Sequence, residues 1–227
     1  MKPATYWVYL SVWLAAVVCG VTAAAGNGNS TRLIGVLPLT PGGADYQAYY
    51  DSETNLTWLA DANANGLMNY VTAKQWAEDL NVNGVTGWRL PKTAQPDPSC
   101  TTQIGGLSRG YNCVGSELGR MYYEVLDNPR LCDPAGNCPV TRSAIKNKNG
   151  ILQNTGPFKN LQAEYYWSET EFDEPDSAWY FDFRYGDQRD VNKIYPMYAW
   201  AVHDGNAGMA KLPSKKASKS GPHHTGG

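Results

Sequence analysis

Two helical patterns precede three aromatic-rich strand patterns along this chain of 227 residues. The helices are predicted over residues 72–81 and 116–127, where apolar side chains recur at spacings of three and four. The strands are predicted over residues 165–168, 178–183 and 198–203. Helices followed by a cluster of strands indicate an α+β fold with a small antiparallel sheet and long loops, and they argue against alternating βαβ units.

One folded domain is predicted over residues 46–204. It begins with two short strands over residues 46–50 and 56–59, which are separated by polar turn residues. Residues 26–45, which start with Gly, Asn and Ser, are interpreted as an N-terminal linker or extension. Residues 205–227 are rich in Lys, Ser and Gly, which is typical of a disordered basic tail.

The first 25 residues have the pattern of a signal peptide. Lys2 precedes an uncharged stretch over residues 6–18, which is too short to span a bilayer. Ala23 to Ala25 then supply the small residues that favour cleavage before Gly26. An uncleaved anchor is the alternative. The pattern predicts a secreted protein, extracellular or periplasmic, with no membrane span after cleavage.

Export determines how the remaining cysteines are interpreted. Beyond Cys19 the chain has an even set of four, which in an oxidising compartment predicts disulfides. The simplest of the three pairings joins neighbours in sequence, Cys100 to Cys113 and Cys132 to Cys138. A zinc site is the competing interpretation, but the chain has no C-x-x-C pair, and no histidine lies near these cysteines.

Charge excludes nucleic acid as an expected partner. Residues 26–210 carry 14 basic and 21 acidic side chains, a formal charge of −7. An acidic body repels phosphate backbones. The same imbalance argues against ligands that need clustered Lys and Arg.

Several segments occur in an order that resembles the Lcl C-terminal domain family, named for a Legionella collagen-like adhesin and long described as a domain of unknown function. The segments begin with Asn55-Leu56-Thr57-Trp58-Leu59 and continue with Trp88-Arg89-Leu90-Pro91, Tyr166-Trp167-Ser168-Glu169, Ala178-Trp179-Tyr180-Phe181-Asp182-Phe183 and Tyr198-Ala199-Trp200-Ala201-Val202. The match covers roughly residues 46–204. It also resembles an exported bacterial subgroup whose members often end in a PEP-CTERM sorting tail, and this chain lacks the Pro-Glu-Pro motif of that tail.

The resemblance implies a fold related to C-type lectins and formylglycine-generating enzymes. It also implies adhesion, because the name-giving member binds sulfated glycosaminoglycans. The expected function is therefore an exported, non-catalytic binding module, with a glycan or a surface protein as its partner. The formal charge of −7 on residues 26–210 argues against a preference for sulfated sugars in this protein.

Exposed tyrosines are the predicted ligand-binding residues, because an aromatic plane can stack on the C–H face of a sugar. Trp179, Phe181 and Phe183 are expected on the core face of their strand, with Tyr180 on the other face. The candidate set is Tyr166, Tyr180, Tyr185, Tyr195 and Arg89. A structural ion pair is the alternative role for Arg89.

Calcium is the one cofactor that a motif predicts. Asp61, Asn63 and Asn65 precede Gly66 with the spacing of the first half of a calcium loop, in which alternate side-chain oxygens converge on the ion. Thr72 occupies the position where a bidentate Glu is expected. An Asn/Gly turn before a helix explains the same residues.

Catalytic motifs are absent from the sequence. It has no G-x-S-x-G or H-E-x-x-H motif and no phosphate-binding glycine loop. Two alternatives to a binding module stay open, a hydrolase of extracellular polysaccharide that uses a carboxylate pair and a structural envelope protein.

Overall fold

The computed structural model describes residues 32–210, and these residues form a mixed α+β fold. The predicted fold class is therefore confirmed. Instead of one small sheet, there are two antiparallel sheets of five strands each, together with three short α-helices. The predicted signal peptide at residues 1–25 and the tail after residue 210 lie outside the described residues.

The first sheet joins strands from both ends of the described chain. In spatial order it contains β1 (Leu33–Pro38), β2 (Tyr46–Asp51), β3 (Leu56–Leu59), β10 (Val202–Asp204) and β4 (Trp88–Arg89). β10 pairs with β3 on one side and with β4 on the other. This insertion places Asp204 beside the β2–β3 turn, because Asp204 is opposite Leu56.

The second sheet contains most of the aromatic strand material. In spatial order it contains β5 (Thr102–Ile104), β6 (Leu107–Tyr111), β9 (Asp187–Asn192), β8 (Ser177–Asp182) and β7 (Tyr165–Glu171). Residues 178–183 alternate as predicted, because Trp179, Phe181 and Phe183 are buried. Tyr180, on the other face, is only partly buried.

The first helix, α1 (Tyr70–Glu78), begins earlier than predicted. Its N-cap is Asn69, whose Oδ1 accepts a hydrogen bond of 2.9 Å from the backbone N–H of Thr72. The prediction that Thr72 begins the helix is therefore wrong. Ala73 and Ala77 are buried as expected, so the apolar stripe is confirmed.

The second helix changes character along its length. α2 (Glu117–Arg120) continues as one π-helical turn, Met121–Val125, and Ser116 is the N-cap residue of α2. Tyr122 and Tyr123 are both buried, and their ring centroids are 4.8 Å apart. An α-helix rotates neighbouring side chains by about 100°, so the wider π turn accommodates two adjacent inward tyrosines.

The two sheets share an aromatic core. Trp200 packs edge-on against Trp58 of the first sheet, with ring centroids 4.8 Å apart. Its ring centroid also lies 6.4 Å from that of Tyr166 in β7 and 6.0 Å from that of Phe183, which follows β8. Aromatic pairs in these geometries stabilise a core beyond simple area burial. The core therefore connects the sheets through indole and phenol rings.

The folded region extends beyond residues 46–204 at both ends. Residues 26–45 are predicted to be a linker or extension, and within them Leu33–Pro38 forms β1, which pairs with β2 from Leu33 opposite Asp51 to Pro38 opposite Tyr46. Residues 205–227 were expected to be disordered, yet Ala207–Ala210 forms α3. The backbone N–H of Ala207 donates to Thr57 Oγ1 at 3.0 Å, which ties this helix to the first sheet.

Both predicted disulfides are confirmed, Cys100–Cys113 and Cys132–Cys138. Asp97 lies close to the first pair. The two sulfurs there are bonded to each other and are not thiolates, which argues against zinc at this position. Among residues 32–210, no helix is both long and apolar enough to cross a membrane.

Candidate functional site

Four polar and aromatic side chains form a row across the second sheet. Tyr111 of β6 is opposite Asp187 of β9, Asp187 is opposite Asp182 of β8, and Asp182 is opposite Tyr165 of β7. Residues directly opposite each other in an antiparallel pair share a face. Tyr111, Asp187, Asp182 and Tyr165 therefore lie side by side, and we call them the tyrosine–aspartate row.

Arg142 holds the centre of the row from outside the sheet. This residue begins a short 3-10 turn, Arg142–Ala144, in the long connection between α2 and β7. Its guanidinium forms salt bridges with Asp187 and, at 3.4 Å, with Asp182. Its Nε also donates to the hydroxyl of Tyr111 at 2.7 Å. One side chain therefore contacts three members of the row.

The two carboxylates are buried, and this changes their chemistry. Burial raises the pKa of Asp182 to about 6, while the charge of Arg142 and the backbone N–H of Arg184 oppose that shift. Asp187 is also buried and is paired with Arg142 and Arg189. Its Oδ1 has no hydrogen-bond partner within residues 32–210. Burying two neighbouring acids is costly, and the raised pKa of Asp182 shows that the charge of Arg142 offsets only part of the cost of burying that carboxylate.

Tyrosine rings surround these charges. Tyr165 is 40% exposed, and its ring meets that of Tyr180 edge to face, with centroids 5.3 Å apart. Burial, together with the charge of Asp187, raises the pKa of Tyr180 to about 12. The guanidinium of Arg142 lies over the ring of Tyr185, 4.8 Å from its centroid. We call the row together with Arg142, Tyr180 and Tyr185 the tyrosine patch.

The structure places two of the predicted tyrosines, Tyr180 and Tyr185, in this patch. Tyr166 is fully buried, so the prediction that its ring is exposed for stacking is wrong. Tyr166 is opposite Phe181, a core residue, and its hydroxyl accepts a hydrogen bond of 2.9 Å from the backbone of Gln162. Its neighbour Tyr165 occupies the outer face instead.

Tyr195 and Arg89 lie away from the patch. Tyr195 is 52% exposed and follows β9, whose last residue Asn192 is at the far end of the β8–β9 ladder from Asp187. Arg89 forms two hydrogen bonds of 2.8 Å with the carboxylate of Glu117 and a salt bridge with Asp204. The structural ion pair proposed as the alternative role of Arg89 is therefore present.

The calcium-loop residues form a hydrogen-bonded turn. Asp61 Oδ1 accepts from the backbone of Asn63 at 2.9 Å, and Asn63 Oδ1 accepts from the backbone of Gly66 at 3.0 Å. Asp61 Oδ2 accepts from Asn160 at 2.9 Å. The Oδ1 atoms of Asp61 and Asn63 thus serve the turn chemistry that the sequence offered as the alternative, and the side-chain amide of Asn65 donates to Met68 Sδ at 3.0 Å. Calcium binding itself stays a prediction.

The arrangement of Asp182 and Asp187 bears on the hydrolase alternative. A raised pKa suits a general acid. However, the two side chains are 2% and 1% exposed and lie beneath Arg142. A glycosidic oxygen has no route to them in this conformation. The geometry therefore presents rings and arginines to a ligand and keeps the carboxylates inside.

No known protein-family model matches the chain, and a comparison with curated proteins also finds no match. The resemblance to the Lcl C-terminal domain family, with the lectin-related fold it implies, therefore stays a prediction.

Proposed function

We propose that this protein is an exported, non-catalytic carbohydrate-binding module that docks a glycan on the tyrosine patch. The observation that carries the proposal is the arrangement of half-exposed tyrosine rings around Arg142, a group anchored by two buried carboxylates. Rings supply planes for the C–H faces of sugars, and fixed charges supply partners for hydroxyl groups. Tyr165 supplies the most exposed plane.

Rigidity supports this proposal. Tyr165 is opposite Asp182 in the sheet, and its ring meets Tyr180 edge to face. Tyr185 is fixed by the guanidinium above its ring. Binding on rings that are already held loses little side-chain entropy, which favours a strongly hydrated ligand such as a sugar that gains little net energy from each contact.

The charge of the patch favours a neutral glycan. Three arginines are each paired with carboxylates, in the salt bridges Arg142–Asp182, Arg142–Asp187, Arg189–Asp187 and Arg184–Glu164. These arginines are matched in number by the carboxylates, so the patch offers no excess positive charge to a sulfate. A neutral hexose polymer therefore fits better than a glycosaminoglycan.

The two disulfides support the proposed export. Disulfides persist in oxidising compartments and are rare in the cytosol. We expect mass spectrometry of the protein released by its native host to find both bridges formed and residues 1–25 removed. Four reduced thiols in that material would contradict the export proposal.

A glycan array and a matched pair of variants test the binding site. We expect saturable binding of a neutral oligosaccharide by the full chain. Tyr165→Ala should lower the affinity about fivefold to tenfold, since an aromatic contact contributes about 1 kcal/mol. Tyr195→Ala is the control, because Tyr195 is similarly exposed but lies at the other end of the sheet; it should leave the affinity unchanged.

Three results would contradict the proposal. The first is equal loss in both variants, which would place the ligand elsewhere. The second is binding that only sulfated sugars support. The third is release of shorter sugars that stops in Asp182→Asn, which would favour the hydrolase alternative. An absence of binding to every glycan on the array would favour the structural envelope role.

A further inference from the structure

A second polar site lies on the other flank of the α2–π helix. It is a cleft of about 520 Å³ between the β2–β3 turn, β4, the end of β10 and α2. Small-molecule sites commonly have volumes of about 300–1,000 Å³. Its rim includes Glu53 and Asp204, and its floor includes Trp58 and Met121. None of these residues belongs to the tyrosine patch.

The rim presents carboxylate oxygens to solvent. Asp204 is 71% exposed, and every contact that Arg89 makes with it within residues 32–210 goes to Oδ1. Glu53 is 60% exposed, and its Oε2 lies 2.8 Å from Nη1 of Arg32. Both carboxylates therefore present accessible oxygen to a ligand. Because Asp204 is opposite Leu56, just after the turn that carries Glu53, the two acids border the same end of the cleft.

The arginines beside the cleft are all paired with carboxylates. Arg120, which lines the cleft, forms a salt bridge of 3.1 Å with Glu124. Arg32 contacts the buried carboxylate of Asp51 through two hydrogen bonds, of 2.6 and 2.8 Å. Arg89 is bidentate to Glu117. These pairs neutralise Asp51 and Glu117 and leave the outer rim negative. The cleft therefore favours a cationic group at its mouth.

The floor carries an unsatisfied donor. Trp58 is 1% exposed and lines the cleft, and its Nε1 has no hydrogen-bond partner within the described residues. A buried N–H without an acceptor is destabilising by about 1–3 kcal/mol. Trp88, Trp167 and Trp200, which are also buried, donate to the carbonyl oxygens of Val85, Met68 and Leu59. Trp58 is therefore the exception among these four indoles, and it is the one of the four that lines the cleft.

We propose that this cleft binds a cationic amino sugar, a hexosamine unit with a free ammonium group. The ammonium is placed at the mouth of the cleft, where the exposed carboxylates of Glu53 and Asp204 attract it. A ring hydroxyl accepts from Trp58 Nε1. A simple metal cation would leave the indole donor unsatisfied, and a neutral hexose would leave the rim charge unused. The site is separate from the tyrosine patch and does not depend on the neutral-glycan proposal.

Calorimetric titration with two matched probes tests the proposal. The full chain is titrated with a glucosamine tetramer and with its fully N-acetylated counterpart, at about pH 6, where an amine is protonated. We expect the free amine to bind at least tenfold more tightly. Asp204→Asn should lower that affinity about tenfold, as expected for the loss of a charge-assisted hydrogen bond. Trp58→Phe should lower it about fivefold, because the ring is kept and the N–H is lost.

Controls separate this site from the patch and from misfolding. Tyr165→Ala should bind the glucosamine tetramer as the unmodified chain does. If Trp58→Phe is destabilised, Asp204→Asn still decides, because Asp204 is exposed and asparagine can still accept from Arg89. Equal affinity for the acetylated tetramer, or an unchanged affinity in Asp204→Asn, would overturn the proposal. A lysine tetrapeptide that binds as tightly and is equally weakened by Asp204→Asn would also overturn it, since the cleft would then recognise a cation and not a sugar.

Discussion

Replacing Asp182 with asparagine should stabilise the protein at neutral pH and should flatten its pH dependence. The pKa of Asp182 is raised from 3.8 to about 6, chiefly by burial. A raised acid pKa means that the folded state keeps a proton that the unfolded state has already released. Stability contributed by Asp182 is therefore greatest below about pH 4 and decreases as pH rises to about 6.

The size of the stabilisation follows from the rise in the pKa of Asp182. About two pKa units correspond to about 3 kcal/mol, since one unit is about 1.4 kcal/mol. Asparagine has the same shape, and its oxygen can still accept the 2.8 Å hydrogen bond from the backbone of Arg184. The main loss is the contact with Arg142, which is long at 3.4 Å. We therefore expect Asp182→Asn to be more stable than the unmodified chain by about 1–3 kcal/mol at pH 8.

Urea unfolding at a series of pH values measures this difference. The free energies of unfolding of the two proteins are compared with the disulfides intact, from about pH 4 to about pH 8. Only the difference between the two free energies of unfolding is used, because other acids also make stability depend on pH. These acids have lowered pKa values, so that their protonation destabilises the fold in acid: Asp51, Glu171 and Asp204. The advantage of Asp182→Asn should grow as pH rises and then level off.

Asp187→Asn is the matched control, because it removes the other buried carboxylate of the row. Asp187 is the charge partner of both Arg142 and Arg189, so its loss should destabilise the fold by about 2 kcal/mol. It should also lower the pKa of Asp182, since the Asp187 charge helps to raise it. An Asp182→Asn protein that is less stable at pH 8, or a difference from the unmodified chain that does not change between pH 4 and pH 8, would show that ionising Asp182 does not destabilise the fold.

Three further perturbations test the scaffold. Replacing Cys100 and Cys113 together with alanine should destabilise the fold by about 3 kcal/mol in urea unfolding, because the bridge closes a loop of 13 residues. Asp51→Asn should lower the free energy of unfolding by about 1–3 kcal/mol at pH 7 and by less in acid. Burial opposes the charge of Asp51, but hydrogen bonds from Arg32 outweigh it and lower the pKa of Asp51. The stabilisation from this ionised pair is lost when Asp51 is protonated. Gly119→Ala should lower the melting temperature by several degrees, since its Cβ would lie 1.9 Å from the carbonyl oxygen of Cys113.

Local patterns were enough to predict several elements of the fold. β3 occupies the four residues predicted for it, because its apolar run is bounded by polar turn residues. The alternation of Trp179, Phe181 and Phe183 correctly predicted a buried face. Both disulfides followed from cysteine spacing once export was assumed. In each case the information lies within a short stretch of chain.

Elements stabilised by distant partners were missed. β9 consists of Asp187–Asn192, a polar segment for which the sequence analysis predicts no strand. It becomes a strand because it pairs with β6 and β8, which satisfies its backbone on both sides. β1 lies in the segment predicted as a linker or extension for a similar reason, because its pairing with β2 is not visible in composition. Of the predicted strand at 198–203, only the end belongs to β10.

The wrong prediction for Tyr166 shows that the site cannot be located without knowing how the strands pair. Adjacent strand residues point to opposite faces, so exchanging Tyr165 for Tyr166 moves a ring from the surface to the core. The sequence places two tyrosines together and does not state which of them is opposite Asp182. Four chain segments must align before Tyr111, Asp187, Asp182 and Tyr165 form a row.

The energetic cost of the row is itself an argument for function. A sheet can be built more stably with an apolar pair in place of Asp182 and Asp187, since burying paired acids costs more than arginine contacts restore. The chain nonetheless places both acids beneath Arg142 and surrounds them with partly exposed tyrosines. The chain is therefore less stable than its Asp182→Asn variant is expected to be, and in exchange Arg142 and Tyr185 are held in a fixed position. If the same substitution both stabilises the protein and weakens its binding of a neutral glycan, the buried charges and the ligand site belong to one arrangement.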